Sequence, residues 1–437
     1  MTGIYFVPLS HPMRTVSLLL FIFPTVLSQQ LTDELIGLVS ETFTQMELKS
    51  WEIGTYAQAI LSLNATSYSV YTPPNNNLPP PGTLTTAMTT ALEPVFNISR
   101  IIVGMQTKEK GPKPFIPDGS AADPASIGVA VLLSDWTGQS QVDSLDYAQA
   151  VKDQLEYLLH KVPHSADGAI SHRGNEVQLW SDSVYMVPPF LALAGLFKGD
   201  ETLMREAHNQ IRLYREHLRD EKTGLWYHIR MGTENTWDEN FWVTGHGWAA
   251  LGMLRVWSTY SKSSYSQSFQ NEMNDLEQWV KEIHTAVYAS LPQGAIFTNY
   301  IDKTTPDIGK DQKFPEAAST AIIAASVYRA ATLLGDESHI SFAEESRKAL
   351  SARKESGEWV HFDDKGYLRP VVNPRSFREK GMESAEGQAF VLEMHAAWMD
   401  WTGKSKSGSE TGRGIGGGTV LIVGWVTVVV VIPWSLL

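Results

Sequence analysis

Apolar residues recur at three- and four-residue spacing over most of this chain, and no run alternates apolar and polar long enough to predict a strand. The pattern predicts helices over 31–46, 51–63, 83–106, 124–136, 143–162, 178–197, 200–218, 238–260, 271–290, 315–334, 337–352 and 384–401. Asp143 is read as the cap of the fifth, whose Ala148, Val151, Leu155, Leu158 and Val162 form one apolar stripe. In the last, Phe390, Val391, Met394, Ala397, Trp398 and Trp401 share a face. Gly199 and Asp200 suit the end of one helix and the start of the next. The Pro/Asn-rich segment 72–82 and the Gly/Pro-rich segment 111–119 read as irregular connectors. The fold class expected is all-α: about twelve helices, in sequential hairpins, can close as two concentric rings with the longer loops gathered at one mouth. An open solenoid is the alternative, but the chain lacks its fixed period.

Composition adds a surface and a compartment. The 437 residues include 14 Trp and 15 Tyr, flat surfaces that suit sugar rings, although most single indoles serve as core packing. A net charge of −13 argues against nucleic acid as a partner, and an anionic substrate would need local cations. Arg14, the apolar run 16–27 and Ser28 read as a secretion signal over 1–28. A barrel domain over 29–403 is then followed by a polar Gly/Ser spacer, 404–418, and an apolar tail, 419–437, with no Lys or Arg after it. Small residues at Ser407, Gly408 and Ser409 favour a lipid-anchor signal attached at Ser407 over a spanning helix. Asn64 and Asn97 open glycosylation sequons, and the absence of Cys leaves stability to the core. The expectation is a monomer, secreted and held at the outer face of the plasma membrane or cell wall.

Candidate chemistry concentrates in 167–195, DGAISHRGNEVQLWSDSVYMVPPFLALAG. Here Asp182 lies between Trp180 and Tyr185, where lost hydration would raise its pKa and preserve a proton donor near neutral pH. The competing reading is that Asp182 caps the helix that follows. A second acid, Asp123, precedes Pro124 and can equally be a cap.

DGAISHR followed by QLWSDSVYMVPPFLA resembles the signature region of glycoside hydrolase family 105 and its relative family 88, the unsaturated rhamnogalacturonyl and glucuronyl hydrolases. TGLWYH at 223–228 with FWVTGHGW at 241–248, and SAEGQAFVLEMHAAWMDW at 384–401, resemble the family's second active-site stretch and closing helix. The resemblance implies an (α/α)6 six-hairpin barrel. It also implies removal of a terminal 4,5-unsaturated uronic acid from lyase-derived oligosaccharides. An acid protonates C4=C5, water adds at C5, and the hemiketal opens to release the next sugar. By position Asp182 resembles the acid/base and Asp123 the second carboxylate. His172 and His228 resemble residues lining the sugar site, Arg173 or Arg230 would pair the uronate, and Trp180, Tyr185, Trp226, Trp242 and Trp248 would offer stacking surfaces. Many relatives carry Trp-Ala-Arg-Gly-Asn-Gly-Trp where this chain has Trp242 to Trp248; His246 then stands in for a cation only when protonated. No cofactor and no metal is expected. A conventional glycosidase or cell-wall transglycosidase pairing Asp123 with Asp182, and a silent carbohydrate-binding barrel, are the alternatives.

Overall fold

The computed structural model describes residues 30–72, 77–107, 109–233, 236–301 and 313–403, so the expected secretion signal, spacer, Ser407 and apolar tail lie outside the described residues. In chain order the helices are α1 (Asp33–Phe43), α2 (Ser50–Asn64), α3 (Thr86–Met105), α4 (Gly128–Trp136), the single turn α5 (Ser140–Asp143), α6 (Tyr147–His160), α7 (Ser183–Lys198), α8 (Glu201–Leu218), α9 (Val243–Ser261), α10 (Gln270–Tyr288), α11 (Ala317–Leu334), α12 (Ile340–Leu350) and α13 (Ala385–Trp401). Helices α2, α4, α7, α9, α11 and α13 pack side by side as an inner ring, and α13 returns onto α2 to close it. The outer helices α1, α3, α6, α8, α10 and α12 lie against that ring. The result is a six-hairpin barrel.

Side-chain pattern explains which helix goes where. Every residue from Val243 to Tyr260 of α9 is buried, and a helix apolar or small all round can only sit inside. Likewise α11 is apolar enough to cross a membrane by composition, yet 89% of it is buried within the barrel. Outer α8 is amphipathic instead, burying Met204, Ala207, Ile211, Tyr214 and Leu218 at three- and four-residue spacing. Gly199, at φ 64°, ends α7, and Asp200 caps α8 by accepting from the Thr202 and Leu203 amides.

Helix α7 carries Pro188 and Pro189, which lack N–H groups and so free the Val184 and Tyr185 carbonyls one turn earlier. The Tyr185 carbonyl accepts from Arg255 Nη1 of α9 at 3.2 Å. Val184 O faces Gly252, where an added Cβ would lie 2.2 Å from it. Gly252→Ala should therefore push α9 from α7 and cost about 1–3 kcal/mol. An unchanged thermal midpoint would show that this contact is not limiting.

Four expectations change. Asp146, not Asp143, caps α6 through the Gln149 amide; Asp143 instead accepts from the Tyr147 hydroxyl, and Ala148 is exposed where Tyr147 and Ala150 are buried. Residues 178–182 precede α7 as a loop and a short strand, β1 (Leu179–Trp180), antiparallel to β2 (Ile229–Arg230). Residues 238–242 precede α9, because Asp238 bridges back to Ile229. A hairpin, β3 (Val371–Asn373) and β4 (Ser376–Gly381), stands where no strand is legible; its six-residue β4, SFREKG, has no buried face to impose alternation. The sequon Asn64 ends α2, while Asn97 lies inside α3, both half-buried.

Candidate active site

Because inner helices all follow outer ones, their N-termini meet at one mouth. There they surround a cavity of about 570 Å3. Trp51 comes from the start of α2, Asp123 from the 3-10 turn before α4, Asp182 from just before α7, Trp242 from the N-cap of α9 and Glu386 from the first turn of α13. Converging helix N-termini carry partial positive charge, so an anionic ligand is favoured despite the acidic chain. A wider groove of about 1380 Å3 adjoins the cavity, sharing Arg173, Trp180 and Phe377 with it, and Trp237 stands 48% exposed on its wall.

Asp182 has helical backbone angles but makes no side-chain cap hydrogen bond, so capping does not explain it. Its Oδ2 accepts from Ser181 Oγ at 3.1 Å and lies 3.6 Å from His228 Nε2. Burial pushes its pKa above the usual carboxylate range, against the pull of His228, hydrogen bonds and Arg173. Asp123 is the first residue of its 3-10 turn, whose cap position is held by Ala122, and it is pushed up further by burial and by the charges of Asp118 and Asp182. Glu386, the third buried acid, accepts from Trp51 Nε1 at 3.0 Å while its Oε1 has no hydrogen-bond partner among the described residues; burial, then Glu52 and Asp182, raise it well above normal. Burial thus raises all three acids, and Asp123 and Glu386 are raised further by the neighbouring carboxylates.

His172 stacks on Trp180, ring centroids 4.4 Å apart, hydrogen-bonds Ser183 Oγ through Nδ1 at 2.9 Å, and places Nε2 3.7 Å from Asp123. Burial and the neighbouring Arg173 hold it well below the ordinary imidazole range, so it is neutral. The Arg173 guanidinium lies 4.7 Å over the Trp180 ring and pairs with no carboxylate among the described residues. It is thus available to an anion. His228 is fully buried in the wall, its Nδ1 2.9 Å from Asp238 Oδ2.

A family model decides what this arrangement is: that of Glycosyl Hydrolase Family 88 matches residues 82–371. The chain belongs to glycosyl hydrolase family 88. Among curated relatives, the unsaturated rhamnogalacturonyl hydrolase YesR of Bacillus subtilis (strain 168) is 27% identical over 117 residues, 25% of this chain and 34% of YesR. The chain thus spans about a third of the length of that relative. Two solved structures share the fold. A family 105 glycoside hydrolase from C. acetobutylicum ATCC 824 superposes with a TM-score of 0.58 at 15% identity, covering 80% of this chain and 93% of its own. The unsaturated glucuronyl hydrolase of Bacillus sp. GL1, responsible for glycosaminoglycan degradation, gives 0.52 at 14% identity, covering 83% and 94%.

In this family 88 chain the cavity brings together Asp123, His172, Arg173, Trp180, Asp182, His228 and Trp242, and leaves five expected residues elsewhere. Tyr185 and Trp248 pack on each other in the core, ring centroids 4.6 Å apart, because their helical positions point between α7 and α9. Trp226 is buried, and its amide donates to His246 Nε2 at 2.9 Å. His246 Nδ1 in turn donates to the Trp242 carbonyl at 2.7 Å, so both ring nitrogens are committed to backbone. It therefore ties two loops together and does not replace the relatives' arginine as a cation. Arg230 pairs with Glu239 at 2.8 Å and covers Tyr227, outside the cavity. Sequence reasoning missed Trp51, Asp118, Asp238, Arg375, Phe377 and Glu386. Glu386 sits within the quoted SAEGQ stretch and Asp238 just before FWVTGHGW; Arg375 and Phe377 belong to the illegible hairpin.

Proposed function

We propose that this family 88 protein removes a terminal 4,5-unsaturated uronic acid from oligosaccharides left by polysaccharide lyases. Supporting it above all is a buried, non-capping Asp182 whose pKa is raised, in a cavity that also offers Arg173, which pairs with no carboxylate among the described residues. The converging N-termini and Arg173 receive the uronate carboxylate, and Trp180 or Trp242 faces the flat ring. Asp182 delivers its proton to C4 and then takes one from the water that adds at C5, so the enzyme ends as it began. The hemiketal opens, and the leaving sugar departs along the outer groove past Trp237.

The test is loss of ultraviolet enol absorbance on a panel of unsaturated uronyl disaccharides. Absorbance loss with release of the second sugar supports the reading; binding without loss favours a silent barrel. The sign of the pH dependence follows from Asp182. Its acid form is the reactive one, so kcat/KM should hold through pH values above the ordinary Asp range of about 3.9 and fall once pH passes the raised pKa. A profile that rises continuously with pH would contradict an acid in that role.

We propose also that the protein acts outside the cell, a reading supported by the apolar runs 16–27 and 419–437. Mass spectrometry of the mature protein checks this: an intact Leu437 would overturn the lipid anchor.

A further inference from the structure

Asp238 has no exposed side-chain surface and receives four donors. Oδ2 accepts from His228 Nδ1 at 2.9 Å and the Tyr300 hydroxyl at 2.6 Å; Oδ1 accepts from Asn240 Nδ2 at 2.7 Å and Arg378 Nη2 at 2.9 Å. Burial alone would raise its pKa, but His228, Tyr300 and Asn240 bring it down to about 2. An ionised carboxylate on Nδ1 dictates the tautomer of His228: the proton stays on Nδ1, and Nε2 turns its lone pair outward. That lone pair is buried with no hydrogen-bond partner among the described residues and faces Asp182 Oδ2 at 3.6 Å.

Two arrangements of one proton fit this geometry. Either Asp182 carries it and points it at Nε2, or His228 becomes imidazolium between two carboxylates. We propose that Asp238 is a positioning residue that makes His228 the second seat for the transferable proton of Asp182. The inference rests on the reading of Asp182 as the acid. When the proton passes to C4 of the sugar, the pair is left as Asp182 carboxylate and neutral His228. The proton lost by the water attacking C5 restores it, so nothing accumulates. Donation from Asp182 is reversible in position without exchange with solvent, which suits an acid that must become a base within one turnover.

Other titratable groups surround the pair. Neutral His172 and the Arg173 cation face it from the loop before β1, Asp123 from the 3-10 turn before α4 and Glu386 from α13, while Arg378 of β4 and Tyr300 of the loop after α10 face Asp238 behind it. They give the test two opposite arms. Asp238→Asn removes the negative charge that stabilises imidazolium, so the pair should lose its shared proton at lower pH. The alkaline limb of the kcat profile should move acidward and kcat should fall about 10- to 100-fold, with KM little changed. Arg378→Gln leaves Asp238 charged but less compensated, so the limb should move alkaline. A role in folding alone would not shift two substitutions in opposite directions.

Nitrogen NMR on protein labelled at its 12 histidines reads the tautomer with no substrate present. A protonated Nδ1 for His228 that is lost in Asp238→Asn is expected. An Nε2–H tautomer in the wild type, or wild-type pH limbs in both variants, would overturn the proposal while leaving Asp182 as acid. Full activity in Asp182→Asn would instead remove the reading beneath it. Should Asp238→Asn fail to fold, the Arg378→Gln limb and the wild-type tautomer still decide.

Discussion

Asp182→Asn is expected to slow turnover of unsaturated uronyl disaccharides by roughly 10²- to 10⁴-fold, the contribution of one positioned acid, while leaving the melting temperature unchanged. The amide keeps the size of the carboxyl and can still accept from Ser181, but it has no proton to deliver to C4. Stability should be spared because Asp182 makes no cap hydrogen bond to α7, and because replacing a buried acid by a neutral amide relieves desolvation. Binding should persist, since Arg173, Trp180 and Trp242 remain. Initial rates of absorbance loss, read beside melting curves, check both halves. Retained turnover would refute the assignment, and a collapsed melting temperature would show that Asp182 holds the fold in a way its contacts do not reveal.

Arg329→Met should produce the largest loss of stability, about 3–5 kcal/mol. Arg329 of α11 is fully buried; its Nε donates to Glu393 Oε1 of α13 at 2.9 Å, its Nη1 to Asp400, and its guanidinium lies 4.4 Å over the Tyr71 ring. Methionine fills much of the volume but leaves Glu393 buried with no cation. Burial already raises Glu393, and Arg329 is the main influence lowering it, so the variant should raise it further. A carboxyl raised on folding binds more protons native than unfolded, so stability falls as pH rises above its unfolded value of about 4.3. The deficit of Arg329→Met should therefore shrink in acid, and Arg329→Met with Glu393→Gln should recover part of it at neutral pH. Denaturant melts at several pH values test this. A pH-independent deficit would assign the loss to packing rather than to the stranded charge.

Much of the barrel was legible because helical periodicity is a local property. The inner helices announce themselves as segments apolar or small on every side, such as 243–260, and the outer ones as amphipathic, such as 201–218. Capping chemistry marked the joint at Gly199 and Asp200 correctly but misplaced α6 by three residues, since Asp143 and Asp146 are equally good caps on paper. What periodicity cannot convey is direction. Tyr185, Trp226 and Trp248 have the right identity for a sugar site and the wrong azimuth, and His246 looked like a substitute cation until both its nitrogens proved bound to backbone. Asp238 escaped because it was read as the start of a helix, whereas the β-bridge to Ile229 places it beside His228. Phe377 and Arg378 reach the site from a hairpin that is distant in sequence and polar in pattern, so only the tertiary structure brings them there.

The central claim is that Asp182 protonates C4 of an unsaturated uronide, and turnover in D2O followed by NMR tests it most directly. Asp182 would then carry a deuteron, and hydration predicts one deuterium at C4 of the released uronic acid, placed on a single face. Release of a uronic acid that keeps its C4=C5 double bond and carries no label would contradict the claim and make this barrel a conventional glycosidase.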